Sequence, residues 1–456
     1  LPWIQNSCLS SSSLEPGTCE FSGPGRNVKV DQLPDEASSP RFQPGDSTSC
    51  AWPYSEHLTD AARIIENVTG KERMARVMRL GVPDRVPVMC QLALGHYFLN
   101  CGIPEIEIWH STAAFGDALI QLQRRYRFDG ILVNLPGRDP SWRSHISRVE
   151  ARASDRVIHW NSGYHTVCPP DDNPHVYRPD WTPVSVGFEE VDPDKLFYVE
   201  PHDLSGADYP FSWGFSGVTA ARDRFFPPCQ FDTIDYVVSR TGNSVSVHGE
   251  IFSPFSQLLE LIGYTGALLA LADDPGKFEA CLDALSEGAV SLGCGLAAHG
   301  VDAILISSAF AGAGFLSREH YRRFVLPYEK KVIDGIRAAH DLPIYTHTCG
   351  RIGDRLELME ETGTDGIDTL DPPPLGNVEL RDAKRRIGER LFIKGNLDPV
   401  HVLLEGNRAA VRAAAERCIE AAAPGGGYIL SSACSVPPHT PPENLEVLVA
   451  VAESRG

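Results

Sequence analysis

Basic residues are scarce in this chain: 41 lysines and arginines stand against 60 aspartates and glutamates in 456 residues, a formal net charge of −19. No basic stripe is available to track a phosphate backbone, which argues against nucleic acid as a partner. Long apolar runs are also missing, since no stretch of 18 or more apolar residues occurs, and no membrane span is expected. Nor does a basic segment lead into an apolar stretch and a small-residue cleavage site, so the expected location is cytoplasmic. The twelve cysteines lack a paired short-range framework, and a chain this long can bury a large core without covalent staples. Most of them are expected to be thiols in a reducing compartment.

Methionine is the remaining shortage: there are four, and the first is Met74. The first 50 residues show no apolar periodicity and are rich in Ser, Pro and Gly, a composition that buries too little surface to offset its ordering entropy. Residues 1–65 are therefore expected to be a disordered N-terminal extension, and 66–456 the folded part. Cys8, Cys19 and Cys50 are set aside from any site on that ground.

From about residue 66, short β-rich runs alternate with longer helical ones. The β runs are Val86–Met89, Gly130–Leu135, Ser244–His248, Asp302–Ser307, Pro343–His347, Gly366–Leu370, Leu391–Gly395 and Tyr428–Ser431. Helical patterns fill the gaps at Thr112–Tyr126, Pro275–Ala298, Ser317–His340, Ile352–Thr362, Val378–Gly388, Arg408–Ala423 and Glu443–Glu453. Eight such units predict an α/β chain folded as a (β/α)8 TIM barrel. The gap between the second and third runs is far longer than one helix needs, which predicts an insertion at about residues 140–235. That stretch carries Trp142, Trp160, Tyr164, Trp181, Tyr198, Tyr209 and Trp213. It reads either as a lid over the catalytic face or as surface hairpins with packed aromatics.

FDGILV, VDAILI and TDGIDT each place an aspartate (Asp129, Asp302, Asp365) just before a strand. Carboxylates at the entry end of barrel strands serve turns and stability, whereas catalytic groups hang from the strand exits. At the exits stand THTCG, with His347 and Cys349, and Cys434, 85 residues beyond Cys349. Two thiolates and an imidazole suit Zn²⁺, and three protein ligands leave a fourth position for chemistry. His-x-Cys is too short a pattern to be rare, so plain core and loop residues are the alternative reading. Thr440-Pro441-Pro442-Glu443 reads as a helix start with Thr440 as N-cap, which puts Cys434 in the preceding loop. Glu250, just past the third run, is a candidate catalytic carboxylate, either a resting fourth ligand or a substrate-side group, against the alternative of a solvated loop acid. Asn396 and Asp398 follow the seventh run and are expected to shape the floor of the site and contact substrate, with Asp398 capping the next helix. His248 reads as a satisfied barrel residue, and His401 and His439 as incidental.

Five segments, TGKERMARVMRLGVPDRVPV (Thr69–Val88), SPFSQLLELIG (Ser253–Gly263), THTCG (Thr346–Gly350), IKGNLDPV (Ile393–Val400) and CSVPPHTPPEN (Cys434–Asn444), together resemble the uroporphyrinogen decarboxylase superfamily from roughly residue 66 to the C-terminus. The resemblance implies a β/α barrel and offers two chemistries. The porphyrinogen decarboxylases need no cofactor; they carry an arginine-bearing segment where this chain reads PVMCQLALGHYF, and a His where it has Cys434. The zinc-dependent methyltransferases, such as methylcobamide:coenzyme M methyltransferases, bind zinc with a His-x-Cys pair and a distant Cys. By that resemblance His347, Cys349 and Cys434 are metal ligands. It further implies a small-molecule methyl donor or thiol acceptor and methylcobalamin carried on a corrinoid protein as partner. A cofactor-free decarboxylase is the second reading, and a non-enzymatic corrinoid-binding or metal-storage protein the third.

Overall fold

The structure is a computed structural model that describes residues 68–184, 186–200 and 225–456. The extension expected at 1–65 lies outside the described residues, as do Tyr209 and Trp213. The strand β1 (Gly130–Val133) opens the main sheet. A separate antiparallel sheet follows, with strands β2 (Ile146–Ala151), β3 (Arg156–Trp160), β4 (His165–Cys168) and β5 (His175–Tyr177) in sequential order. The main sheet resumes with β6 (Ser246–Phe252), β7 (Ala303–Ser307), β8 (Ile344–Thr348), β9 (Gly366–Thr369), β10 (Phe392–Leu397) and β11 (Tyr428–Ser432). These seven strands are parallel neighbours in chain order, which the near-continuous apolar runs require, because helices cover such strands on one side.

The sheet is curled. Leu132 on β1 and Ile429 on β11, from opposite edges, belong to one buried cluster with Leu305, Tyr345 and Phe392. The Gly70–Met78 helix seals the same cluster with Met74, Val77 and Met78. Its start is fixed by a capping box: the Thr69 hydroxyl accepts the Glu72 N–H, and the Glu72 carboxylate accepts the Thr69 N–H. The expected first strand, Val86–Met89, is present as a bridge rather than a strand. Met89 N–H donates to Leu430 O, Leu430 N–H donates to Pro87 O, and Asp129 N–H donates to Val88 O, so this segment bonds toward both edges.

Most expected elements are in place, with instructive differences. The third strand runs to Phe252, so Glu250 lies inside β6 and not beyond it. The helix expected at Ser317–His340 divides into Arg318–Phe324 and Leu326–Arg337 at Val325, where Pro327 removes a backbone donor. The last helix spans Pro442–Ser454 with Pro441 as its cap, so Thr440 is not the N-cap; Glu443 then sits one position too early to complete a capping box. The 24-residue helix Pro275–Ala298 meets the length and composition of a membrane span, with half of its apolar window buried. Its Gly288 lies so close to Phe197 O that a Cβ would come within 1.9 Å of it.

Between β1 and β6, the antiparallel sheet buries Trp142, Ile158 and Trp160 together with Ile106. Trp160 Nε1 donates to Thr166 Oγ1 at 2.8 Å, and His110 stacks on Trp142. Beside the loop that follows β11, His439 Nε2 lies 2.7 Å from Asp171 Oδ2.

Candidate metal centre

His347 is the fourth residue of β8, Cys349 directly follows that strand, and Cys434 is two residues past β11. All three therefore hang from strand exits on one face. His347 Nε2 lies 3.2 Å from Cys349 Sγ, and Cys349 Sγ lies 3.4 Å from Cys434 Sγ. The three donor atoms fall within 4.8 Å of one another, and among the described residues no other such group of His, Cys, Asp or Glu occurs. A tetrahedral zinc with its usual bonds to sulfur and nitrogen would separate these donors by roughly 3.6–3.8 Å, slightly above the observed spacings. The donor set thus fits the ion in chemistry and in size.

Local packing explains why the thiols converge. The loop after β7 zips onto the end of β8: Ser308 N–H donates to His347 O, Cys349 N–H to Ala309 O, and Ala313 N–H to Arg351 O. Gly312 is required there, because a Cβ would come within 2.3 Å of Cys349 O. Arg355, fully buried, clamps the loop by donating to Ala311 O and Leu316 O. On the other side Ala433 N–H donates to Leu397 O and Val436 N–H to Gln91 O, which holds the Cys434 turn.

Behind the donors runs a row of polar side chains that the sequence did not disclose. Strand register pairs His347 with Asp368 on β9 and Asp368 with Lys394 on β10. His347 Nδ1 lies 3.1 Å from Asp368 Oδ2, and Lys394 Nζ donates to Asp368 Oδ1 at 2.9 Å. Such a carboxylate fixes the tautomer of a ligating imidazole, leaving Nε2 for the metal. Burial resists charge on His347, but Asp368 and the Cys434 sulfur outweigh it and raise its pKa to about 10. Burial would likewise raise Asp368, yet Lys394 and His347 hold it below the ordinary carboxylate range.

Asp371 is a second carboxylate the sequence left unmarked. It accepts the N–H of Gly350, and burial together with the negative potential of Cys434 pushes it up to about 8. The two residues before it, Thr369 (φ 83°) and Leu370 (φ 57°), lie in the left-handed region, where each costs roughly 1–3 kcal/mol. Thr369 Oγ1 donates to Thr348 O and holds that turn. The only sequence signal for Asp368 and Lys394 was a charged residue inside an otherwise buried strand run.

The other expected site residues occupy different surroundings. Glu250 sits on β6 paired with Leu305 and lies outside the three-donor group. Asn396 Nδ2 donates to Leu370 O, while its side-chain oxygen accepts from the Cys418 thiol. Asp398 accepts the N–H groups of Val400 and His401 and so caps the short helical turn Pro399–Leu404, with His401 Nδ1 at 2.8 Å. His248 is satisfied by Ser246 Oγ and Tyr345 Oη.

Comparison with known proteins places the geometry in context. The family model described as uroporphyrinogen decarboxylase (URO-D) matches residues 222–455. A uroporphyrinogen decarboxylase from Thioalkalivibrio sulfidiphilus is 33% identical over 190 residues, covering 41% of this chain and 51% of that protein. A methylcobamide:CoM methyltransferase MtbA from Methanosarcina mazei is 29% identical over 215 residues, covering 47% of this chain and 59% of that protein. The chain thus spans between half and three-fifths of the length of these curated relatives. Among solved structures, a methyltransferase from Methanosarcina mazei superposes with a TM-score of 0.62 at 18% identity, covering 85% of this chain and 99% of that one, which is a likeness of fold.

Proposed function

This chain belongs to the uroporphyrinogen decarboxylase family, and from that membership we propose that it is a zinc-dependent methyltransferase moving a methyl group between a small methylated substrate, a corrinoid protein and a thiol. The convergence of His347 Nε2, Cys349 Sγ and Cys434 Sγ at the strand exits carries this reading. A bound zinc would supply a site at which a thiol loses its proton near neutral pH and stays nucleophilic. His347, Cys349 and Cys434 would hold it, and Asp368 would keep the His347 ring in the ligating tautomer. Glu250, on an inner strand, is proposed as a substrate-side carboxylate, and Asn396 and Asp398 as residues that shape the floor. The two-sided bonding of Val86–Met89 supports a closed eight-unit barrel around this face. Two thiols 3.4 Å apart must stay reduced, in keeping with a cytoplasmic enzyme.

The decarboxylase relative supports a second reading, and turnover separates the two. The protein is given methylcobalamin with a small thiol, and in parallel uroporphyrinogen. Demethylation of the corrinoid that disappears in Cys349→Ser and Cys434→Ser is expected. Release of carbon dioxide from uroporphyrinogen, undiminished in those variants, would overturn the proposal.

A further inference from the structure

Lys394 is buried to within 2% of full coverage, on a strand with no solvent beside it, and its amine meets the Asp368 carboxylate. A well-packed apolar pair would serve stability as well or better, because desolvating two charges offsets most of their attraction. The position of the pair is more informative than its strength. Asp368 gives one oxygen to His347 and the other to Lys394, in one row across β8, β9 and β10.

We propose that Lys394 is a positioning residue for the metal centre: by offsetting the charge of Asp368, it lets that carboxylate orient His347 while leaving the centre able to accept a thiolate anion as its fourth ligand. The inference rests on the metal reading above. With a divalent ion, two cysteinates, Asp368 and Lys394, the charges sum to zero before any substrate arrives. Without Lys394, a buried negative charge remains beside the two sulfurs, and an incoming thiolate meets it in a medium that screens poorly. The same uncompensated charge favours the cation, so metal and thiolate affinities respond in opposite directions. A merely structural lysine would loosen both together.

The test uses the full chain loaded with Co²⁺, whose visible absorption reports both the metal and a fourth sulfur ligand, titrated with ethanethiol at fixed pH. Lys394→Met is expected to keep its Co²⁺ and to bind ethanethiol roughly ten- to a hundredfold more weakly. The double variant Asp368→Asn with Lys394→Met removes both charges and keeps an acceptor for His347 Nδ1. It is expected to recover wild-type thiol affinity; if Lys394→Met does not fold, Asp368→Asn alone, which leaves the lysine charge uncompensated, is expected to bind ethanethiol more tightly and Co²⁺ more weakly, and parallel loss of both would overturn the proposal. Unchanged thiol affinity in Lys394→Met, parallel loss of metal and thiol, or a double variant that fails to recover would overturn the proposal. A wild-type chain that takes up no Co²⁺ would instead overturn the metal reading itself.

Discussion

The two ends of the main sheet surround their carboxylates differently. At the entry end, Asp129 is met by both Arg73 and Arg85 and accepts the Val88 N–H; Asp302 takes Lys71 and the Val247 N–H; Asp365 takes Arg337 and the Ile344 N–H. Each carboxylate there ties a strand start to its neighbour and is neutralised. At the exit end two thiols and an imidazole crowd together, Asp371 sits beside Cys434, and the fully buried Glu329 is met by the hydroxyl of Tyr321 rather than by a cation. One end is built to be stable, and the other holds groups that a stability-only design would avoid.

Substitutions can break or sharpen this contrast. Asp129→Ala takes the shared carboxylate from Arg73, which keeps Asp84, and from the half-buried Arg85, and should cost about 3 kcal/mol in urea unfolding, with metal content per folded chain unchanged. A loss of metal at preserved stability would blur the two ends. Glu329 tests the other side. Burial raises its pKa to about 7 against the hydrogen bond from Tyr321, so the unfolded chain releases this proton at lower pH than the folded one. Between roughly pH 4.5 and 7 the unfolded state binds fewer protons, and this group's contribution to stability falls as pH rises. Glu329→Gln should therefore be more stable than wild type at pH 8 by about 3 kcal/mol, with the advantage gone near pH 4; a pH-independent difference would contradict the assignment.

Asp398→Ala removes the cap of the Pro399–Leu404 turn and should cost about 1 kcal/mol. Asp398→Asn keeps the cap, so loss of turnover at unchanged stability is expected if Asp398 also shapes the floor, and full turnover would confine it to capping. Smallest of all, the exposed pair of Arg127 and Glu453 should contribute under about 0.5 kcal/mol when either side chain is cut to alanine, read by thermal unfolding in low salt.

The seven parallel strands and the meeting of His347, Cys349 and Cys434 were legible because apolar runs with turn signals mark each strand, and these side chains stand at the end of β8 and just past β11. The entry-end aspartates were legible for the same reason. Asp368 and Lys394 were not, since their meaning lies in register: nothing along the chain says that residue 368 faces 347 on one side and 394 on the other. Thr369 and Leu370 hid the turn that aims Asp371, because neither residue type signals a left-handed backbone. The hairpins with packed aromatics offered as one reading of the insertion are present as the antiparallel sheet of β2 to β5, with its tryptophans in a local core beside Ile106; its strand bounds were not legible, because the strands are short and interrupted by polar residues.

Metal stoichiometry tests the central claim most directly. The protein is purified without chelators and its metal measured for the wild type, His347→Ala, Cys349→Ser and Cys434→Ser, alongside Cys168→Ser, which alters a buried thiol of the antiparallel sheet. About one zinc per chain, lost in the first three variants and kept in the fourth, is the result predicted. No metal in the wild type, or zinc retained in both Cys349→Ser and Cys434→Ser, would contradict the account.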